Sequence, residues 1–284
     1  MTIKTIGIIG AGTMGSGISQ VMALAGFEVI MMDIKDEFIR RGMENIKNGL
    51  NKMLEKAKIT AQQKEDTLAR IRTTTRLEEM ANADFIIEAA SEKESLKLDI
   101  FRKLDSICKK DIILSTNTSS IPITRIGSAT KRSDKVIGMH FMNPAPVMKL
   151  VEIIRGRDTS DETFAAVTSL TEKIGKTPVE SKDRPGFIVN RILMPMINEA
   201  IFALMEGAAS KEDIDTAIVL GTNQPIGPLA LADLIGLDTV LSIMESIYKE
   251  TKDPKQRPCP LLKRYVDAGW LGRKTGHGFY KYEI

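Results

Sequence analysis

Along the first 180 or so residues, short β-branched and apolar runs alternate with stretches in which apolar positions recur every three to four residues. TIGIIG, EVIMMD, DFIIEAA, IILSTN and KVIGMHF have strand composition. Helices are expected from residue 14 to about 25 and around residues 96–108, with a basic helical pair over about 40–76. Strand and helix in alternation predict a mostly parallel α/β sheet with right-handed crossovers. After RPGFIVNR the strand signal fades. Three or four amphipathic helices follow, at about 188–205, 211–220, 229–248 and 261–268, punctuated by GTNQPIGP and KDPKQRPCP. The boundary falls near residues 182–184, giving an α/β domain over 1–183 and an all-helical domain over 184–284. No internal repeat or low-complexity tract interrupts either.

The composition, 43% hydrophobic and 27% charged, is that of a globular protein. Its two cysteines, Cys108 and Cys259, make no metal-ligand or redox spacing, so a reducing compartment without disulfides or structural zinc is expected. The start, MTIKTIGIIGAG, enters a strand-like run without targeting features, which points to the cytoplasm. ILMPMINEAIFALM is too short and too interrupted for a bilayer span. Net charge is +3, but residues 40–76 hold ten Lys and Arg against four acids. Such a run is often a solvated helix face. Nucleic acid is disfavoured as its partner, because no aromatic residue interleaves these bases for stacking.

IIGAGTMGSG sets Gly10, Gly12 and Gly15 in a G-x-G-x-x-G array between a strand and a helix. Gly10 suits a tight turn, Gly12 admits a pyrophosphate to the backbone, and Gly15 lets helix and strand pack closely. The free N–H groups at the helix start then face the negative charge. The next strand ends at Asp33, placed to accept hydrogen bonds from the adenine-ribose hydroxyls. The unit predicts a Rossmann-type dinucleotide site. Asp33 would repel a 2′-phosphate and no Arg follows it immediately, so NAD is expected over NADP.

One of only two histidines lies in VIGMHFMNPAPVMKLVEII. Folded as an antiparallel pair about Pro146, this stretch sets His140 opposite Glu152, with Cβ atoms about 5 Å apart. A carboxylate there fixes the tautomer and supports the imidazolium, leaving the other ring nitrogen to exchange a proton with a substrate oxygen. A strand histidine alone is more often a hydrogen-bonded core residue, but the cofactor fingerprint and the acidic partner favour chemistry. His277, between glycines, reads as a surface loop residue.

At GAGTMG with Asp33, at NTSS, at GMHFMNPAPVMKLVE and at DRPGFIVNRILMPMINEA the chain closely resembles the L-3-hydroxyacyl-CoA dehydrogenase family, over residues 3–282. The resemblance implies His140 as general acid/base and Glu152 as its orienting partner. It implies that Ser119 and Asn190 hold the reacting oxygen and position the acyl group; a helix cap and a first-turn polar residue are the bland alternatives. It assigns Glu92, Lys97, Asn117, Asn143 and Lys274 to the cofactor, with Thr13 and Met14 in the glycine turn, although Lys97 alone reads as an exposed helix residue. The basic segment becomes an arm over a coenzyme A thioester, Lys52 and Lys56 pairing with its phosphates. Gln224 departs from the His or aromatic residue expected there, which touches acyl preference rather than the catalytic set.

The implied activity is NAD-dependent interconversion of 3-hydroxyacyl-CoA, nearest (S)-3-hydroxybutyryl-CoA, and the 3-oxoacyl-CoA, in a homodimer whose cleft lies between the domains. A dehydrogenase of free 3-hydroxy acids and a non-catalytic, crystallin-like NAD-binding protein are the rival readings.

Overall fold

The structure, a computed structural model, describes residues 3–283. Met1 and Thr2, which open the stretch read as an unextended start, and Ile284 lie outside the described residues. The chain divides into two compact units, residues 1–184 and 185–284.

The first unit begins with the predicted βαβ: β1 (Thr5–Ile9), α1 (Thr13–Leu24) and β2 (Glu28–Met32). It continues through α2 (Asp36–Glu55), α3 (Ala61–Ala69), β3 (Ile71–Thr74), β4 (Phe85–Glu88), α4 (Glu94–Ile107) and β5 (Ile113–Thr116). The short α5 (Ile123–Gly127), β6 (Val136–Phe141), β7 (Leu150–Arg155), α6 (Asp161–Lys173) and β8 (Thr177–Lys182) complete it. The sheet order is β3-β2-β1-β4-β5-β6-β7-β8. Every neighbouring pair is parallel except β6 with β7.

The central strands β4 and β5 are buried along their whole length, as expected of parallel strands covered on both faces. Ile6 and Ile8 of β1, Ile18 and Met22 of α1, and Ile46 and Leu50 of α2 share one core with residues of β4 to β7. This arrangement brings the ends of β1, β4, β5 and β6 to one edge of the sheet, where open α/β sheets bind ligands.

Two edge strands depart from the expected pattern. The basic segment is helical only as far as Ala69; Ile71–Thr74 is an edge strand paired with β2. At the other edge, β8 pairs with β7 despite carrying Pro178. Both strands are polar, because an edge strand needs neither an apolar flank nor every backbone N–H.

The second unit contains α7 (Val189–Met205), α8 (Lys211–Thr222), α9 (Pro228–Ile235), α10 (Leu237–Thr251) and α11 (Pro260–Asp267). The single helix expected over 229–248 is two helices. Gly236, at φ 100°, ends α9 and begins α10, a conformation that side chains with a Cβ resist. Ile197, Ile201, Leu229, Leu237, Val240 and Leu262 centre a separate core. Asp233, 1% exposed, accepts from the Phe279 and Tyr280 backbones and the Tyr282 hydroxyl, fastening the C-terminal segment. Among the described residues no helix is long and apolar enough to cross a membrane.

Candidate active site

The glycine turn has the local geometry its sequence requires. Gly10 takes φ 101° and donates its N–H to Met32 O at 2.8 Å. A Cβ on Gly15 would collide with the Gly10 carbonyl oxygen, whereas one on Gly12 would meet nothing within 4 Å. Gly12 therefore leaves open space at the start of α1, and Gly15 lets α1 sit directly on the turn. Asp33 Oδ2 accepts from Ala11 N and Oδ1 from Ile34 N, each at 2.7 Å. Each carboxylate oxygen keeps acceptor capacity for a ribose hydroxyl. A cavity of about 560 Å³ runs from Gly10, Gly12 and Thr13 past Asp33 to Ile34, Phe38, Leu77, Leu96 and Ile100. A diphosphate cradle, a ribose acceptor and an apolar slot for a flat base together fit NAD.

Two substitutions test this arrangement. In Gly15→Ala the obstructing atom is backbone and cannot rotate away, so NADH binding is lost and stability falls by about 1–3 kcal/mol; an unchanged urea midpoint and NADH Kd would exclude the close-packing role. In Asp33→Ala/Ile34→Arg the repelling carboxylate is removed and a cation is added at a side chain that is 72% exposed. The ratio of NADPH to NADH affinity should rise by about tenfold or more, and no gain in fluorescence titration counts against the ribose role of Asp33.

Beside the turn lies a buried charge network that the sequence does not reveal. Glu88, at the end of β4, is fully buried and accepts from the Lys97 ammonium at 2.7 and 2.9 Å, from Ala90 N at 2.7 Å and from Thr116 Oγ1 at 2.7 Å. Lys97 is also fully buried, which corrects its reading as an exposed helix residue. Its ammonium further donates to Ala90 O at 3.1 Å and lies 3.5 Å from Glu92. The ammonium thus holds two carboxylates and a carbonyl on the cofactor side of the sheet.

Glu92 in turn accepts from the Thr118 hydroxyl, from Ser119 N, and from both Ser120 N and its hydroxyl, at 2.5–3.1 Å. Burial pushes its carboxyl upward, but the Lys97 charge and the hydrogen bonds from Thr118, Ser119 and Ser120 outweigh it and leave the pKa below 4.5. A depressed carboxylate stabilises the fold at full strength above its unfolded value and loses that contribution as pH falls through the lowered folded value. The loop carrying Ser119 is thus held throughout the neutral range. Asn117, in the same loop, accepts the Phe141 N–H on its Oδ1 at 2.8 Å and ties the loop to β6.

His140 and Glu152 are register partners in the β6–β7 pair. His140 Nδ1 lies 2.8 Å from Glu152 Oε2. Glu152 is fully buried and His140 is 7% exposed. A carboxylate with no access to water needs a hydrogen-bonded or cationic partner, and the imidazole is one. Three residues after His140, Asn143 is exposed and joined to Pro144 by a cis peptide bond.

The remaining candidates lie on other elements. Lys52 stands in the last turn of α2 and Lys56 caps it. Both are exposed and four residues apart. Met14 lies in the first turn of α1. In the helical unit, Asn190 is buried in the first turn of α7. Lys274 binds both oxygens of Asp238 at 2.6 Å. Gln224, between α8 and α9, donates to Met196 Sδ at 3.6 Å. His277 is half-buried, its ring 4.1 Å from that of Trp270.

A sequence profile of the 3-hydroxyacyl-CoA dehydrogenase NAD binding domain matches residues 5–184, and one of the C-terminal domain of the same enzymes matches residues 186–282. The chain belongs to the 3-hydroxyacyl-CoA dehydrogenase family. Among relatives in this family, a probable 3-hydroxybutyryl-CoA dehydrogenase of Bacillus subtilis is 54% identical over 283 residues, covering 100% of this chain and 99% of the relative. A 3-hydroxybutyryl-CoA dehydrogenase of Clostridioides difficile is 50% identical, covering 98% and 99%. The crystal structure of (S)-3-hydroxybutyryl-CoA dehydrogenase PaaH1 from Ralstonia eutropha superposes with a TM-score of 0.95 at 50% identity, each chain covered completely. In this family member the glycine turn, Asp33 and the cavity between them lie in the domain assigned to NAD.

Proposed function

We propose that this chain catalyses the reversible NAD-dependent oxidation of (S)-3-hydroxybutyryl-CoA to acetoacetyl-CoA, with His140 and Glu152 as its acid/base pair. The observation that carries the reading is the 2.8 Å contact of His140 Nδ1 with the buried Glu152, at the edge of the sheet that bears the glycine turn. Bound NAD supplies the hydride acceptor, and NADH the donor, at C3 of the acyl chain. In oxidation the neutral His140 ring takes the hydroxyl proton; in reduction the imidazolium returns it to the oxygen. Glu152 fixes the orientation and tautomer of the ring through Nδ1.

Ser119 and Asn190 hydrogen-bond the reacting oxygen and align the acyl group. Lys52 and Lys56 pair with the coenzyme A phosphates, a role suited to exposed cations one helical turn apart. Glu92, Lys97, Asn117, Asn143 and Lys274 complete the cofactor side. The working form is a homodimer in the cytoplasm, joined through the helical unit, whose Ile192, Leu220 and Leu234 are exposed apolar residues. Light scattering at a monomer's mass would remove the dimer.

The deciding assay follows NADH oxidation at 340 nm with acetoacetyl-CoA, longer 3-oxoacyl-CoA thioesters and free acetoacetate, with NADPH in parallel. Turnover with the C4 thioester and NADH is expected. Turnover confined to the free acid supports the rival dehydrogenase; binding of NADH without turnover supports a non-catalytic protein.

A further inference from the structure

The cavity beside the glycine turn is lined by two cations to which the function above gives no role, Lys103 on α4 and Arg41 on α2. Arg41, on α2, lines it together with Gly12, Thr13 and Asp33. Its position follows from how α2 docks. A Cβ on the adjacent Gly42 would lie 2.6 Å from Ala11 O and 3.0 Å from Ala11 Cβ, so the helix backbone rests directly against the glycine turn. Arg41 and Asn45, one turn apart and flanking Gly42, both border the same cavity.

Arg41 is exposed and makes no hydrogen bond or ion pair among the described residues. The two acids of the cavity are already engaged. Asp33 holds two backbone N–H groups, and Asp99 is paired with Arg102 at 2.5 Å. An unpaired guanidinium beside an open helix start is suited to a dianion: its planar fork matches two phosphate oxygens, and its charge adds to that of the N–H groups of α1.

We propose that Arg41 is a cofactor-binding residue whose guanidinium neutralises the dinucleotide pyrophosphate from the α2 side, opposite the glycine turn. The inference rests on the NAD site assigned above. It removes Arg41 from the set of arm cations available to the thioester and gives the basic segment two jobs: its first turns serve the cofactor, and Lys52 and Lys56 serve the substrate.

The test compares the parent with Arg41→Gln and Arg41→Lys by calorimetric or fluorescence titration of NADH, NADPH, ADP-ribose and ADP. In Arg41→Gln the Kd for NADH, ADP-ribose and ADP should rise together by about tenfold or more. Arg41→Lys, which keeps the charge but loses the fork, should fall between the two. The loss should concentrate in the KM for NADH, with a much smaller change in kcat at saturating NADH. The Arg41→Gln penalty for NADH should shrink as salt is raised. Because Arg41 is exposed and unpaired, the unfolding midpoint without nucleotide should not move.

An unchanged Kd for NADH and ADP overturns the proposal. So does a loss confined to NADPH, which would put the guanidinium at the 2′ position, or a rise confined to the acetoacetyl-CoA KM, which would return Arg41 to the substrate arm. Failure of the parent protein itself to bind any of these nucleotides would instead remove the NAD reading on which the inference rests.

Discussion

Replacing His140 by glutamine lowers kcat for acetoacetyl-CoA reduction by about 10²- to 10⁴-fold, the usual contribution of a positioned acid or base. Glutamine retains polarity and approximate length, so Glu152 keeps a hydrogen-bond donor and the buried carboxylate is not abandoned. What is lost is a group able to carry the proton to and from the C3 oxygen. The Gly10–Gly15 turn and Asp33 belong to other elements, so the NADH Kd should change by less than about twofold, since an interaction made in the transition state does not enter cofactor affinity. Stopped-flow turnover beside NADH titration checks both halves. A variant within about threefold of the parent in kcat leaves general acid–base catalysis by His140 without support.

Lys97→Met gives the largest expected loss of stability. The ammonium is the sole cation contacting Glu88 among the described residues, and neither side chain reaches water. Removing one member of a buried ion pair typically costs about 3–5 kcal/mol, because the other charge stays behind unpaired. For a unit of this size that corresponds to a fall in Tm of about 10 °C. Glu92 also loses the charge that most strongly holds its carboxyl down, so the Ser119 loop should loosen and acid unfolding should begin at higher pH. Calorimetry tests the first effect. The double variant Glu88→Gln/Lys97→Met should recover part of the loss, because no carboxylate then remains at position 88. A Tm within about 2 °C of the parent for Lys97→Met alone would show that water or a rearranged partner already screens Glu88.

These two effects arise from features of unequal legibility. The strands β1, β2, β4, β5, β6 and β7 stand where apolar runs alternate with helical periods. The pairing of residues 140 and 152 follows from hairpin symmetry about Pro146, since a two-residue period leaves one way to bury both strands. The Glu88–Lys97 pair has no such local rule. Its members are nine residues apart, one on a strand and one on a helix, and meet only because the chain turns back between β4 and α4.

The edge strands β3 and β8 escape detection for the opposite reason. They are mostly exposed and so carry no apolar alternation. The break at Gly236 is hidden because apolar spacing continues across it from Leu229 to Ile247, so a single glycine is the whole signal. Arg41 reads as one more solvated arm cation until the contact of Gly42 with Ala11 fixes which way α2 approaches the turn.

The ladder that joins β6 to β7 also fixes where this chain can tolerate a change of length. An inserted residue beside Val147, which is 71% exposed, lengthens the turn and leaves the pairs from 137–155 to 141–151 in place. An insertion between Leu150 and Glu152 reverses the facing of the acid relative to the ladder and separates it from the imidazole. Lineages that diversify this hairpin therefore have freedom beside Val147 and almost none a few residues away, where one codon gained or lost turns the buried Ile153 as well as the acid out of register.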